Sequence, residues 1–155
     1  MSFTRRSFLA RIATLMYPGD RFLLGTDLVK DAAVLEAAYN DSAGITAEFN
    51  KNVLHVLNRE LGANFDVDAF EHVAFFDRKR EWIEMRLRAI EAQDVRVEEL
   101  DLDVDFAARE ELRTEISAKF TRERLHGDLA AAGLELTEIY TDPDELFAVS
   151  LARQA

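Results

Sequence analysis

Glu115 and Ser117 stand two residues apart in a segment where polar and apolar residues alternate. Because side chains of an extended chain point alternately to its two faces, this spacing puts the carboxylate and the hydroxyl on one face. A carboxylate accepts hydrogen bonds and a hydroxyl both donates and accepts them, so the pair could bind a polar ligand. The same pattern also fits the solvent-exposed face of a strand, and both interpretations stay open at this point.

The other residues that could bind a metal or act as nucleophiles do not show the spacing of a known site. His55, His72 and His126 lack the spacing of metal ligands, so we expect no metal site. The chain contains no cysteine, which excludes thiolate metal sites, cysteine nucleophiles and a small disulfide-stabilised secreted fold. The acidic residues from Glu98 to Glu111 alternate with apolar ones and indicate the solvated face of strands, since a calcium loop would need closer-set oxygens and glycine.

Length and charge limit the class of protein. The 155 residues fit one domain, and the formal net charge of −11 repels phosphate backbones, so we expect no nucleic-acid partner. Arg5 and Arg6 precede a short apolar run that superficially resembles a signal peptide, but Arg11 interrupts it and no small-residue cleavage site follows. No stretch is long enough to cross a bilayer, so we expect a cytoplasmic protein without a membrane partner.

The N-terminal part predicts helices around one strand. Residues 8–16 show helical spacing of apolar side chains, and the turn at 18–20 ends that helix. Residues 21–27 form a short apolar run between turn residues, which is typical of a buried parallel strand. Residues 29–61 are helical again, with a break at 40–44 that divides them into two helices. Such a helix–turn–strand unit indicates an α/β sheet.

The remainder predicts mainly antiparallel strands. Four segments within residues 65–106 alternate apolar and polar side chains with period two, which indicates a single antiparallel meander with one wet face. A helix over residues 121–132 follows, with Thr121 as N-cap and Gly133 as C-cap. Residues 134–140 and 147–151 predict a terminal antiparallel hairpin around a turn at 141–144.

Seven strings of residues, taken together, carry a family resemblance. They are GTDLVKD at 25–31, FNKNVL at 49–54, NRELGANF at 58–65, FEH at 70–72, IEMRL at 83–87, RTEISAKF at 113–120, and YTDPD at 140–144 leading into FAVSL at 147–151. In this order and spacing they resemble the histidine-specific, S-adenosylmethionine-dependent methyltransferases, the family that opens ergothioneine biosynthesis. The resemblance runs through essentially the whole chain and corresponds to the C-terminal half of the family's enzymes.

The resemblance implies four substrate-binding residues. It implies that Glu115 and Ser117 hold the imidazole of the substrate histidine, that Tyr39 contacts its amino-acid backbone groups, and that Met85 lines the same pocket. A carboxylate can accept a bond from an imidazole N–H, and a hydroxyl can satisfy the other ring nitrogen. A site built this way rejects amino acids without an imidazole, because its polar groups would be left unpaired. From the bare sequence alone, helix packing is the favoured interpretation of Tyr39 and core filling that of Met85.

The resemblance also implies a fold and its division. We expect an α/β fold in which the C-terminal part of a Rossmann-like class I methyltransferase sheet carries an inserted antiparallel α+β substrate-binding subdomain. The sheet would comprise residues 1–31 and 121–155, and the insertion residues 32–120. The likeness of a helix plus terminal hairpin to the end of that sheet is an analogy of fold and does not assign a function.

The cofactor site of the family is not apparent in the sequence. Its cofactor is S-adenosylmethionine, which class I methyltransferases bind with a glycine-rich loop, whereas the six glycines here are scattered. We therefore expect the chain to lack most of that site and leave its cofactor-binding residues unassigned. It would be a truncated product, a subunit completed by another chain, or an independent module.

The functional expectation follows from this resemblance. The chain would be part of an L-histidine Nα-methyltransferase that transfers methyl groups from S-adenosylmethionine to the α-amino group of histidine. No residue is assigned a catalytic role, because the sulfonium methyl is already activated and the enzyme mainly orients the amine. The alternative is a noncatalytic module that binds histidine or a related amine, or an assembly partner. The strand at residues 22–24 would have an open hydrophobic edge, which predicts a homodimer or a domain-exchanged oligomer.

Overall fold

The computed structural model describes residues 5–155, which form a mixed α/β arrangement, as the sequence predicts. In chain order the elements are α1 (Arg5–Leu15), β1 (Phe22–Asp27), α2 (Ala32–Tyr39), α3 (Ile45–Leu61), β2 (Phe70–Asp77), β3 (Trp82–Ala89), β4 (Gln93–Val97), β5 (Leu102–Phe106), β6 (Glu111–Ala118), α4 (Arg122–Ala131), β7 (Leu134–Thr141) and β8 (Phe147–Gln154). None of the described helices is both long and apolar enough to cross a membrane.

The chain divides into two compact units. The first unit contains the residues up to Lys30 together with Ala118–Ala155, and the second unit contains Asp31–Ser117. The assignment of a methyltransferase sheet to the outer segments and of a substrate-binding insertion to the central one stays a prediction.

The first unit is built on a three-stranded sheet with the order β1-β8-β7, and both pairs are antiparallel. Apolar side chains of α1 and α4 pack on this sheet in a core that includes Leu9, Leu125, Leu129 and Leu134. The predicted terminal hairpin of β7 and β8 is therefore present. Its turn is stabilised by the Asp142 carboxylate, which accepts hydrogen bonds from three backbone amides at 2.8–3.0 Å.

The sequence-based interpretation of β1 as a buried parallel strand is wrong. β1 pairs with β8 in antiparallel register, with Phe22 opposite Ala152 and Asp27 opposite Phe147. Its side chains are mostly half-buried or exposed, and Leu23 is 65% exposed. The cause of the error is that a short apolar run has the same appearance in a buried parallel strand and in an edge strand whose partner lies far along the chain.

A buried ion pair lies where the chain leaves and re-enters the first unit. The Lys119 side chain is fully buried, and its Nζ lies 2.8 Å from Oδ2 of Asp27, whose Oδ1 lies 2.6 Å from Nζ of Lys30. Burial by itself raises the pKa of Asp27, but hydrogen bonds from the two ammonium groups outweigh it and lower that pKa below its ordinary value. The adjacent backbone is bonded as well, because the Phe120 amide donates to the Asp27 carbonyl at 2.9 Å.

The second unit contains two sheets instead of the single meander that the alternation predicts. β2, β3 and β6 form one sheet in that order, and β4 and β5 form a separate two-stranded ribbon. The strand positions are close to those predicted, but the partners differ because β6, from beyond the alternating segment, pairs beside β3. Local periodicity reports which residues are extended, and it contains no information on which strands become neighbours.

The break between the two helices of the second unit and the end of α3 lie where the sequence indicates, whereas α2 begins at Ala32 and not at residue 29. The break between α2 and α3 is held by Asp41, whose carboxylate accepts hydrogen bonds from the backbone amides of Ile45 and Thr46. The bond from Thr46 is the main cause that lowers the pKa of Asp41 to about 2. Gly44 and Gly62 flank α3 with φ of +72° and +59°, a left-handed conformation that glycine adopts without a steric penalty.

The core of the second unit is aromatic. The Phe70 side chain is fully buried, and its ring centroid lies 5.4 Å from that of Phe106 in an edge-to-face arrangement and 6.1 Å from that of Phe65. Leu54 from α3 and Leu87 from β3 belong to the same cluster, together with the buried side chains of Ala89, Val95 and Val97. The helix is thereby packed on the face of the β2-β3-β6 sheet, which presents the residues of the candidate site.

Candidate functional site

The central strand and one edge strand of the β2-β3-β6 sheet carry three of the four predicted site residues. Met85 lies on the central strand β3, and Glu115 and Ser117 lie on β6 beside it. The fourth residue, Tyr39, is the last residue of α2. All four belong to the second unit.

Ion pairs between charged side chains join β6 to β3. Nη1 of Arg86 lies 2.5 Å from Oε2 of Glu111, and Nη2 of Arg88 lies 2.6 Å from Oε1 of the same carboxylate. Arg86 also binds Glu84, and its guanidinium lies over the ring of Phe75 at 4.9 Å from the centroid. The registration of the strand that carries Glu115 is thus fixed by ion pairs that satisfy one another across the sheet.

Glu84 is the buried member of this charged cluster. Its side chain is only 1% exposed, and it accepts a hydrogen bond from Nε1 of Trp82 at 3.0 Å in addition to those from Arg86. Burial raises the pKa of this carboxyl, but the bonds from Arg86 and Trp82 outweigh that effect and lower the pKa below its ordinary value. Glu84 is therefore held in its charged form inside the sheet.

Tyr39 and Ser117, which are 78 positions apart in the sequence, are joined by a direct hydrogen bond. The Tyr39 hydroxyl donates to Oγ of Ser117 at 2.8 Å. The end of α2 is also tied to the sheet next to this contact, because Nδ2 of Asn40 donates to the Ala74 carbonyl on β2 at 3.1 Å. Two of the four predicted residues are therefore in contact.

Glu115 is exposed and borders a cavity of about 260 Å³. The cavity is formed with residues of α3, namely Phe49, Asn50, Asn52 and Val53, and with Thr114 of β6. Within the described part of the chain, the Glu115 carboxylate has no hydrogen-bonding or ion-pairing partner. Its oxygens can therefore accept hydrogen bonds from a ligand. The exposure of Glu115 is equally consistent with the solvent-exposed face of a strand.

Met85 is placed beside these residues by its backbone. Its carbonyl oxygen lies 3.0 Å from Oγ1 of Thr114, the residue that precedes Glu115. Its side chain is 3% exposed, which fits the core-filling interpretation as well as a contribution to the wall of a pocket.

Asn50 and His72 were not predicted as functional residues, although they lie within the same arrangement. Asn50 is 3% exposed on α3, and its amide contacts both His72 and Thr114. The sequence contained one signal, since Asn50 precedes Leu54 by four residues and Leu57 by seven and so occupies the apolar face of an amphipathic helix. A buried amide at such a position requires hydrogen-bonding partners. The spacing of the three histidines bears only on metal binding and gives no sign of the contact between His72 and Asn50.

A family model described as histidine-specific, SAM-dependent methyltransferase matches residues 2–154. The chain belongs to this family. It is 57% identical over 148 residues to a histidine N-alpha-methyltransferase of Mycolicibacterium smegmatis and 56% identical over 148 residues to that of Mycobacterium tuberculosis. Each of these alignments covers 96% of this chain and 46% of the relative. The family resemblance found in the sequence strings is thereby confirmed.

More distant similarities complete these comparisons. The chain is 26% identical over 153 residues to ergothioneine biosynthesis protein 1 of Neurospora crassa, covering 90% of this chain and 16% of that protein. The structure of the CcbJ methyltransferase from Streptomyces caelestis matches with a TM-score of 0.46 and 14% identity, over 97% of this chain and 52% of that one. The chain spans about half the length of the histidine N-alpha-methyltransferases that it matches.

Among the described residues 5–155 of this member of the family, we find no arrangement that fits S-adenosylmethionine. The sequence has no glycine-rich loop. A Cβ at Gly25 would lie 2.9 Å from the Phe147 ring, so the space beside this glycine is occupied by the protein's own side chain. Among residues 5–155 there is also no group of three or more His, Asp or Glu side chains placed to hold a metal ion. The chemistry that the described residues support is binding and orientation of a polar ligand.

Replacing Glu84 by glutamine tests the charged cluster that positions β6. Because the pKa of Glu84 is lower in the folded chain than its ordinary value of 4.5, the stabilisation from its charge is complete above that pH and is lost as the pH falls through the folded value. We expect Glu84→Gln to lower the free energy of unfolding at neutral pH by about 1–3 kcal/mol. The difference between the variant and the original chain should shrink as the pH is lowered to about 3. Urea unfolding at a series of pH values measures both effects.

The matched control is Glu99→Gln, which removes one negative charge at an exposed position. It should leave the stability at neutral pH unchanged within about 0.5 kcal/mol. A Glu84→Gln effect of the same size at every pH would contradict the assignment, because it would not depend on the charge of the carboxylate.

Proposed function

We propose that this chain provides the histidine-recognition part of an L-histidine Nα-methyltransferase, an enzyme of ergothioneine biosynthesis that transfers methyl groups from S-adenosylmethionine to the α-amino nitrogen of histidine. The observation that carries the proposal is the hydrogen bond from Tyr39 to Ser117, which joins two residues that the family resemblance implies bind the substrate. Family membership and the histidine N-alpha-methyltransferase activity named for the two mycobacterial relatives support it.

The proposed roles follow from the donor and acceptor capacity of each side chain. Neutral imidazole has one ring N–H and one unprotonated nitrogen, so it needs one acceptor and one donor. The Glu115 carboxylate accepts from the N–H, and the Ser117 hydroxyl donates to the other nitrogen while it accepts the bond from Tyr39. Tyr39 faces the amino-acid backbone groups of the substrate, and Met85 forms part of the apolar wall.

The role of this chain in catalysis is therefore orientation of the amine. The bound imidazole fixes one end of the substrate, so the α-amino group is held at a defined distance from Glu115 and Ser117. The transferable methyl group is supplied by the cofactor, for which the sequence shows no glycine-rich loop. A noncatalytic histidine-binding module remains the second candidate, and the absence of a glycine-rich loop is the feature that favours it.

Replacing Glu115 by alanine tests histidine recognition. The variant loses a charge-assisted hydrogen bond worth about 1.5–3 kcal/mol, so we expect the Kd for L-histidine to rise about 10- to 150-fold. Chemical-shift titration of the ¹⁵N-labelled chain with L-histidine measures this, because it also detects weak binding. L-Phenylalanine, which has no ring nitrogen, should not bind at the same residues.

The matched control is again Glu99→Gln, which should bind L-histidine as the original chain does. The proposed function would be refuted if L-histidine shifted no resonance of the second unit, or if Glu115→Ala bound it with unchanged affinity.

Titration with S-adenosylhomocysteine tests whether the isolated chain binds the demethylated cofactor. Because the described residues form no site that fits the methyl donor, we expect no saturable heat in a calorimetric titration carried out with L-histidine present. Saturable binding would mean that the chain forms a cofactor site by itself, which would contradict the assignment to recognition alone and justify turnover assays.

Association through β1 is a further proposed property of the chain. β1 is at one end of the β1-β8-β7 order, and within residues 5–155 no strand pairs with its outer side. An unpaired edge that bears the exposed side chain of Leu23 can add a strand from a second copy. We expect light scattering after size-exclusion chromatography to give twice the 17.6 kDa mass of the single chain.

Substitution at the two edges of the sheet tests this association. Leu23→Lys should give the mass of a single chain, because a lysine on an edge strand opposes edge-to-edge pairing. Tyr140→Lys, at an exposed position on β7 at the opposite edge, should leave the dimer intact. A single-chain mass for the original protein at high concentration would contradict the proposal.

A further inference from the structure

A buried hydrogen-bonded relay connects the helix that carries Tyr39 with the strand that carries Glu115. We define the Asn50–His72 relay as the side chains of Asn50, His72 and Thr114 together with the carbonyl groups that they bind. Every member belongs to the second unit. The relay deepens the proposed function and rests on it, since its ends are residues assigned there to histidine recognition or their immediate neighbours.

The orientation of the Asn50 amide is fixed by its partners. Its Nδ2 lies 3.0 Å from the carbonyl oxygen of Arg86 on β3 and 2.9 Å from Nδ1 of His72. A carbonyl oxygen only accepts hydrogen bonds, so the amide atom that faces it is the nitrogen. Oδ1 therefore faces Oγ1 of Thr114, at 2.5 Å, and accepts its bond. The amide uses both its hydrogens and its oxygen, and it does so in a position that is almost completely buried.

The tautomer of His72 follows from the same reasoning. Nδ1 accepts from the Asn50 amide, and Nε2 lies 2.9 Å from the carbonyl oxygen of Tyr39. Because that carbonyl can only accept, Nε2 carries the ring hydrogen and donates it. The Tyr39 carbonyl is at the last position of α2, so this bond joins the end of that helix to His72 on β2.

The other end of the relay reaches the strand with Glu115. The Thr114 hydroxyl lies between Oδ1 of Asn50 and the Met85 carbonyl, which is 3.0 Å away. Thr114 immediately precedes Glu115, and Met85 immediately precedes Arg86, whose carbonyl is bound by Asn50. One buried amide therefore contacts the backbone of β3 directly, β6 through a hydroxyl and the end of α2 through an imidazole.

We propose that Asn50 and His72 are positioning residues that set the distance from Tyr39 to Glu115 and thereby the affinity and selectivity of the site for histidine. Neither residue needs to touch the ligand in this role. Breaking the relay at His72 releases the Tyr39 backbone from the sheet, and breaking it at Thr114 releases β6 from α3. In both cases the groups that hold the imidazole and those that face the amino-acid backbone lose their fixed spacing.

The test uses three histidine variants and two measurements on the 155-residue chain. His72→Phe keeps a ring of similar size but removes both nitrogens, and His72→Gln restores a donor that can reach the Tyr39 carbonyl. His55→Phe makes the same change at an exposed position on α3. The free energy of unfolding is measured in urea, and the Kd for L-histidine by chemical-shift titration under conditions where each variant is folded.

We expect His72→Phe to raise the Kd for L-histidine at least tenfold, His72→Gln to bring it back to within about threefold of the original, and His55→Phe to leave it unchanged. A purely structural role predicts a different result, in which His72→Phe lowers stability while the folded molecules bind L-histidine with the original Kd. That result would overturn the proposed positioning role of the relay.

The outcomes also separate this inference from the proposed function. If Glu115→Ala weakens L-histidine binding and His72→Phe does not, only the relay fails. If L-histidine does not bind the original chain in the second unit, the proposed function fails, and the role of the relay fails with it.

Two further measurements keep the inference testable if His72→Phe does not fold. Thr114→Val, of nearly the same volume, breaks the relay at its other end and should also raise the Kd at least tenfold. Long-range ¹H–¹⁵N correlation spectra of the original chain report the tautomer of His72. A neutral ring protonated at Nε2 supports the relay, and a ring protonated at Nδ1 overturns it.

Discussion

The arrangement of the second unit depends on one constraint, namely that the amide of Asn50 is buried and must have all its hydrogen-bonding groups satisfied. An unpaired amide in an apolar interior costs several times what its bonds contribute when formed, so Asn50 restricts the neighbouring backbone to positions where partners exist. Its partners lie on β2, β3 and β6. Helix α3 is thereby fixed on the sheet in one registration, which apolar contacts alone would leave less specific.

The charged side chains and the aromatic core stabilise the same sheet in different ways. The phenylalanine cluster around Phe70 provides the burial that holds α3 on the sheet, and burial is not directional. The carboxylates of Glu84 and Glu111, with the arginines between them, provide directional bonds that align β6 with β3. Together they present Ser117 to the Tyr39 hydroxyl and leave the carboxylate of Glu115 available at the surface.

Much of the local structure could be predicted from the sequence, because its signals are local. The break between α2 and α3 and the positive φ of Gly62 follow from residues within one helical turn of the boundary, and the terminal hairpin follows from its turn. Strand pairing could not be predicted in this way. The partner of β1 is β8, more than a hundred residues later, and β6 takes a place beside β3 that the alternating pattern assigned to other strands.

The candidate site shows the same limit. The family resemblance implies Tyr39, Met85, Glu115 and Ser117, and their roles in binding stay a prediction. Asn50 and His72 belong to the family strings at 49–54 and 70–72. Their contact depends on where α3 packs along the sheet, and the spacing of residues in the sequence does not indicate that position. A polar residue on the apolar face of a predicted helix was the one available sign, and such residues deserve a search for partners on distant strands.

The central claim is that Glu115 and Ser117 bind the ring of histidine, and the most direct test is a crystal structure of the chain with L-histidine. We expect a carboxylate oxygen of Glu115 and Oγ of Ser117 each to lie within about 3.2 Å of a different imidazole nitrogen. We also expect the bond from Tyr39 to Ser117 to be retained. Histidine bound elsewhere on the chain, or bound with its imidazole away from both side chains, would contradict this claim.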